Sequence, residues 1–585
     1  MGIVGGFEET AKDCMKFNRE PSVDTALPGN PPTGFWESKL APVLDKHCLA
    51  ICLFLIAIAC VRIISTYNSL SLTVDETTHF GCGLEYVARH TYGYEVQHPP
   101  LSRMMQALGP YLSGVRPAGR SGPVEEALDT ISRSGHVDRV IFLMRLGNLP
   151  FFLLACLVVG LWGNLFGRPM AVLAVALFTL LPTMLADTGL ATTDMALGAT
   201  VGAAFLAFVF WAQKPTVRSS LLLGLCTALA CLSKFTALGY LPAVAVLSFV
   251  CYAAVCRPSW HDFRETAKQR VPLFALAISV TALLIWACYW FSFGSINYHG
   301  HNVRLPAPEF FAGIQVALHH SRNGHATFLL GKFGWKGWWY YFPVVLSLKT
   351  PIAFLIFLGL GTFVSVRTRP RLNYLLPLAF SLGILLPAMY SHVDIGVRHV
   401  EPIYLGFSII AALGLRQLLQ WAPTATVSAL TAGPLLLWMI LSVAAQHPDY
   451  LAYLNAFAGK TPENILVDSN YDWGQDLKLL ARRLHELGVR EFSLASMDGV
   501  SFGHPDSAES WYGLPPFKLV NPCVPAPGWN VLSPTIEKST SRWPESQFYR
   551  GPNMQTPWYE QVSPTERVGA LLLYYIPPDA KLSCR

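Results

Sequence analysis

The feature that most limits this chain is a series of long apolar runs, at about 48–67, 140–166, 169–186, 195–213, 219–236, 238–256, 272–293, 343–365, 373–390, 400–418 and 425–445. Each is near the roughly 20 residues a helix needs to cross a bilayer. A soluble domain carries roughly 25% charged residues. Here, of 585 residues, 52% are hydrophobic and only 14% charged, and the charges gather between the runs. The expected fold class is therefore a polytopic α-helical membrane protein of about eleven spans. The third to sixth runs crowd so closely that one of them could be merged or re-entrant. An odd span count puts the two termini on opposite sides.

Lysine and arginine in short loops mark the cytoplasmic side. One set of loops holds Arg168; Lys214 and Arg218; Arg257, Arg264, Lys268 and Arg270; Arg367, Arg369 and Arg371; and Arg416. The opposite short loops hold little beyond Lys234 and Arg398. Residues 1–47 then form a cytosolic tail, 48–445 the membrane region, and 446–585 an extracytoplasmic domain. The net charge of +6 reports this topology and gives no reason to expect nucleic acid. Most of the 13 cysteines lie in or beside spans, where Cys is a small buried apolar residue. Cys523 and Cys584 fall in the external domain, either free or joined by a disulfide.

Two external loops, 68–139 and 294–342, are longer than connectors need. The second holds an amphipathic stretch from Pro308 to His320. An aromatic cluster from Trp335 to Phe342 follows, of the kind a membrane interface selects. After 446 the pattern predicts a small α/β domain: strands at Ile465–Ser469, Glu491–Ala495 and Gly569–Ile576, and an amphipathic helix from Asp476 to Leu487. In the run Asn470-Tyr471-Asp472-Trp473-Gly474-Gln475-Asp476, the plain expectation is that Asp472 or Asp476 caps that helix.

Chemistry concentrates in the first external loop. Val74-Asp75-Glu76-Thr77-Thr78-His79-Phe80 puts two adjacent carboxylates beside an apolar surface, where they are costly unless exposed or used. The same loop supplies His98-Pro99-Pro100-Leu101-Ser102-Arg103, in which the prolines fix an extended turn that aims His98 and Arg103.

An acidic pair after the first span followed by His-Pro-Pro-Leu-small-basic resembles the protein O-mannosyltransferases. It also resembles the wider GT-C class, including the lipid A aminoarabinose transferases. Thr192-Thr193-Asp194 and Arg398-His399-Val400-Glu401-Pro402 extend the likeness in the expected order. The resemblance implies a GT-C-like fold in the inner membrane. It implies transfer of a hexose, mannose in the mannosyltransferases, from a polyprenyl-phosphate carrier to a hydroxyl outside the cytoplasm, with inversion. Asp75 matches the catalytic acid and takes the role of base, with Glu76 orienting it or binding acceptor. Arg398, His399, Arg103 and Lys234 are the candidates for gripping the donor phosphate, with Arg145 a further intramembrane cation. His98 and Asp194 face substrate. Some relatives share a divalent metal between two acids, here Asp75 and Asp194, so a metal cofactor stays open.

The chain departs from the eukaryotic pattern. Loop 294–342 is too short for a β-trefoil domain, and the 470–476 run instead resembles one in bacterial family-39-like glycosyltransferases. The acceptor is thereby left open among protein, glycan and lipid. A transporter should show paired repeats with mid-membrane sites, whereas this chain has no repeat and its polar clusters gather at one surface. A non-catalytic relative whose tail binds a surface partner is the other alternative.

Overall fold

The computed structural model describes residues 34–367, 371–496, 505–519, 525–539, 558–580 and 582. Every expected apolar run becomes helix. Among the described residues, eight helices are each long and apolar enough to cross a membrane: Cys48–Thr66, Val137–Asn164, Asp194–Gln213, Ala237–Cys256, Phe263–Cys288, Leu372–Tyr390, Ile403–Trp421 and Ala425–Ala445. Two further runs are bent pairs, Arg168–Phe178 with Pro182–Gly189 at 64° and Tyr341–Lys349 with Ile352–Arg367 at 119°. These would bring the count to ten, and Val217–Ser233 is a shorter apolar helix. The first break falls in the crowded third to sixth runs, where a merged or re-entrant element was open, and both breaks have one cause. A proline disfavours the helical conformation at the residue before it. Leu181 before Pro182 and Thr350 before Pro351 are both extended.

Asp194–Gln213 and Ile403–Trp421 are buried on nearly all faces, and Cys48–Thr66 leaves Leu49, Leu53, Phe54 and Val61 exposed. Helices that are apolar all round belong inside a bundle, and exposed aliphatic stripes belong against lipid. Ile352–Arg367 crosses Ile403–Trp421 through two glycines. A Cβ on Gly361 would lie 1.7 Å from the Ile410 carbonyl oxygen, and one on Gly414 2.0 Å from that of Phe357. Small residues allow such close backbone approach in membranes. Gly414→Val should force the helices apart and destabilise the protein by about 1–3 kcal/mol or more. Thermal melting in detergent followed by size-exclusion chromatography reads this, and an unchanged melting point would contradict the close crossing.

The segments expected outside are together at one end. The first loop folds into helices Val74–Arg89, Pro100–Leu112 and Pro123–Ser134. The second holds a hairpin of β1 (Phe293–Tyr298) and β2 (His301–Pro306), the expected amphipathic helix as Pro308–Asn323, and a short hairpin of β3 (Thr327–Leu329) and β4 (Lys332–Gly334). The C-terminal domain carries β5 (Phe492–Ala495), β6 (Phe517–Leu519), β7 (Gly528–Leu532), β8 (Glu566–Val568) and β9 (Leu571–Ile576). They form one mixed sheet in the order β6-β5-β7-β9-β8, with β5 parallel to β6 and β7. Ser71 N donates to the Gln475 carbonyl at 2.9 Å and Lys478 Nζ meets Asp138 at 2.7 Å, joining the first loop to this domain. At the other end of the first span, Cys48 lies against the Arg168 carbonyl.

Two expectations in the domain need correction. Ile465–Ser469 is not a strand: Leu466 makes a single bridge to Leu329, and Asp468–Asn470 is a 3-10 turn with Asp468 at φ 60°. A left-handed residue cannot continue a pleat. The predicted helix is present as Leu477–Glu486, but neither aspartate caps it. Leu477 N donates instead to Ser71 Oγ at 3.0 Å, so the cap comes from the first loop. Cys523 and Cys584 lie outside the described residues.

Candidate functional site

Thr73-Val-Asp-Glu76 is a helix-start signature, and Val74–Arg89 begins there, with the Thr73 N–H donating to Glu76 at 2.9 Å. What reads in sequence as loop is therefore the first turn of a helix. Successive helical side chains point about 100° apart, so the two adjacent acids part company.

Asp75 keeps its side chain 31% exposed at the open end of the bundle, where Arg398 Nη1 donates to it at 2.8 Å. Glu76 turns inward and is wholly buried. Arg145 grips it through Nε and Nη2, both at 2.8 Å, and Ala191 N donates to it at 2.8 Å. Arg145 also donates to the carbonyls of Tyr67, Leu70 and Ser71. Of the roles open to them, Glu76 makes no hydrogen bond to Asp75 among the described residues, and Arg145 spends its N–H groups on Glu76 and three carbonyls at the bundle top.

Arg398 stands at the centre of the cluster. It lies in the turn Val397–Val400, and its Nη1 is also 3.7 Å from Asp194 Oδ2. Asp194 opens the span Asp194–Gln213 and takes Lys234 Nζ at 2.5 Å. The resulting row, Asp75–Arg398–Asp194–Lys234, alternates in sign and joins four residues that sequence reasoning had placed at the site. Burial raises the Asp75 carboxyl, but Arg398, with smaller help from His98 and Lys234, more than offsets it, and Asp75 sits below the ordinary carboxylate range. His399 is held well below the usual imidazole range by burial and by Lys234 and Arg398, so it can offer an N–H but no charge.

Arg103 is engaged elsewhere. Pro100 begins a helix, as proline does readily at the first position, and this turns Arg103 into the loop. There it donates to His79 Nδ1 at 3.1 Å, to Tyr92 Oη at 2.9 Å and to the Glu95 carboxylate. His98 packs edge-on to His79 with ring centres 5.2 Å apart and shares Glu95 with Arg103. His98 thus lies beside the row, while Arg103 braces the wall that carries it.

Four contributors had no role assigned to them from the sequence. Ser469 accepts from Arg398 Nε at 3.0 Å, and Trp473 lies under the guanidinium with its ring centre 4.1 Å away. Asp187 and Glu401 are buried behind Asp194 with carboxylate oxygens lacking any hydrogen-bond partner among the described residues. An acid in or at the edge of an apolar run is a functional flag, which Asp187 and Glu401 both carried. Trp473 stood in the 470–476 run, but nothing local ties it or Ser469 to Arg398. As for a metal, no group of three or more His, Cys, Asp and Glu among the described residues is arranged to hold one. Asp75 and Asp194 meet through a guanidinium, so this donor set does not fit a shared divalent ion.

The family model for dolichyl-phosphate-mannose-protein mannosyltransferase matches residues 51–298 of the chain. That stretch includes Asp75, His98, Asp194 and Lys234, so the resemblance drawn from the motifs is borne out on the segment that carries them. Among solved structures the chain is similar to ArnT from Cupriavidus metallidurans bound to undecaprenyl phosphate, with TM-score 0.47 and 14% identity over 89% of this chain and 97% of that one. It is similar to archaeal oligosaccharyltransferase AglB from Archaeoglobus fulgidus in complex with an inhibitory peptide and a dolichol-phosphate, with TM-score 0.42 and 11% identity over 84% and 70%. A third is the S. cerevisiae protein O-mannosyltransferase Pmt1-Pmt2 complex bound to the sugar donor, with TM-score 0.32 and 17% identity over 42% and 33%. No curated protein matches the chain.

Proposed function

We propose that this membrane protein is a glycosyltransferase that moves a hexose from a polyprenyl-phosphate carrier to an acceptor hydroxyl on the extracytoplasmic side, inverting the anomeric centre. The observation that carries the reading is the Asp75–Arg398 pair, a carboxylate and a guanidinium 2.8 Å apart at the open end of a helical bundle. The family match supports it, because that family's name specifies a polyprenyl-phosphate sugar and mannose.

In this reading the acceptor oxygen attacks the anomeric carbon as the carbon–oxygen bond to the phosphate breaks. Asp75 takes the acceptor proton late in that step, and the polyprenyl phosphate leaves with its negative charge against Arg398. Arg398 uses Nε on Ser469 and Nη1 on Asp75. Its Nη2 has no hydrogen-bond partner among the described residues and is the group left to bind the phosphate. Direct displacement needs only this one carboxylate. A retaining mechanism would require a second as nucleophile.

The test is reconstitution in liposomes with polyprenyl-phosphate mannose, then other polyprenyl-phosphate hexoses, scoring release of the free lipid phosphate. Absence of release with every hexose and with protein, glycan and lipid acceptors would overturn the assignment. Arg398→Ala should weaken polyprenyl-phosphate binding about 10–100-fold, the worth of hydrogen bonds to a charged group. Lys should rescue it only partly, since it lacks the planar fork.

The same variant makes a pH prediction. Arg398 holds the Asp75 carboxyl down, so the wild-type base stays ionised until pH falls below the ordinary carboxylate range. Removing Arg398 raises that pKa, and the acid limb of kcat/KM should move to higher pH. An unmoved limb would mean that another group carries it.

A further inference from the structure

Resting on the donor-site reading above, we infer that the Ser469–Trp473 turn of the C-terminal domain positions Arg398 for the donor phosphate, so that this domain completes the phosphate site. The 470–476 run that stood out in the sequence finds its role here, in place of helix capping.

The geometry encloses the arginine on two sides. Ser469 Oγ accepts from Nε at 3.0 Å and itself donates to the Ile395 carbonyl at 2.8 Å. The Trp473 ring lies under the guanidinium, 4.1 Å from its centre, and Trp473 is 1% exposed. With the indole covering one side of the guanidinium, its N–H groups are left to point outward in the guanidinium's own plane, where Nη1 finds Asp75. The backbone that carries Arg398 is tied to the same turn, because Val397 N donates to Asn470 Oδ1 at 2.9 Å. Space is matched as well: a Cβ on Gly396 would lie 2.2 Å from Ser469 Oγ.

The turn is in turn fixed from both bodies of the protein. Asn470 Nδ2 donates to Tyr341 Oη at 2.9 Å, and Lys349 Nζ donates to the Asn470 carbonyl at 2.7 Å, both from the helix Tyr341–Lys349. From the domain side, Asp468 N donates to Thr535 Oγ1 at 2.8 Å and Thr535 Oγ1 donates to the Asp472 carbonyl at 2.6 Å. Asp468 holds a left-handed conformation at φ 60° between these anchors. A strained non-glycine conformation persists only where its surroundings over-determine it. The turn is therefore a built element with one face on the domain and the other on Arg398.

The experiment measures the Kd for a short-chain polyprenyl phosphate in detergent micelles. It uses full-length wild type, Ser469→Ala, Trp473→Phe, Arg398→Ala and the two combinations with Arg398→Ala. Arg483→Ala serves as control, because it breaks the Arg483–Glu566 pair inside the domain without touching the turn or Arg398. Ser469→Ala and Trp473→Phe should each weaken binding about 10-fold in the wild-type background, and by less than about 2-fold once Arg398 is gone. Arg483→Ala should leave Kd unchanged.

Equal weakening in both backgrounds would show that the turn acts on the ligand by another route, and would overturn the inference. So would wild-type binding by both single variants, or an Arg483→Ala defect as large as theirs. Should Arg398→Ala itself bind normally, the donor-site reading falls first and the inference with it. If Trp473→Phe does not fold, Ser469→Ala decides alone.

Discussion

An Asp75→Asn protein should insert, fold and bind a polyprenyl phosphate, yet transfer sugar about 10²–10⁴-fold more slowly than wild type. Amidation keeps the shape and one carbonyl oxygen for Arg398 while removing the proton acceptor. The position tolerates the change because Asp75 is partly exposed and packs against no core. Single-turnover transfer from polyprenyl-phosphate mannose measures the effect directly, with Asp194→Asn beside it. Asp194 is buried against Lys234, so its amide variant should lose stability along with rate. Near-normal turnover in Asp75→Asn with a dead but well-folded Asp194→Asn would transfer the role of base to Asp194.

Glu76→Ala should fail differently, by unfolding. It leaves the Arg145 guanidinium buried without its counter-charge and strips acceptors from the N–H groups of Thr73 and Ala191. Breaking a buried pair from one side costs about 3–5 kcal/mol. That is a large share of the 5–15 kcal/mol that holds a typical protein folded. The expected result is a strongly reduced yield and a lowered melting temperature in detergent. Glu76→Gln combined with Arg145→Met should recover part of the loss, because the pair is removed from both sides. A Glu76→Ala protein that melts like wild type but transfers no sugar would restore Glu76 to the chemistry.

The contrast between these neighbouring carboxylates shows what the sequence could and could not reveal. Spans are legible because each must be apolar for its own length, a local property; even the two breaks were written as Pro182 and Pro351. Asp75, Asp194, Lys234 and Arg398 were singled out from motifs that resemble a known family, and the fold brings these four together. Glu76 was misread because its direction depends on helix phase, and the segment had been taken for loop. Once Thr73 and Glu76 are recognised as a helix start, the 100° between successive side chains separates the two acids. Arg103 and Arg145 were misread for another reason. A cation in such a place has a partner, but its identity, Glu95 or Glu76, is set by packing. Ser469 and Trp473 lay furthest from view. Their relation to Arg398 spans 71 residues for Ser469 and crosses from one domain to another, and no periodicity carries information over that interval.

The clasp of Arg398 by the Ser469–Trp473 turn also has a consequence in time. A chain is made and inserted from its N-terminus, so Asp75, Asp194, Lys234 and Arg398 are all in place in the membrane before the turn has left the ribosome. During that interval the arginine lacks both its indole floor and its serine. A nascent chain can therefore be fully threaded through the bilayer and still be unable to hold a donor. On the proposed reading, competence arrives only once the Ser469–Trp473 turn has folded onto Arg398, which makes that turn a checkpoint on maturation as much as a piece of the site.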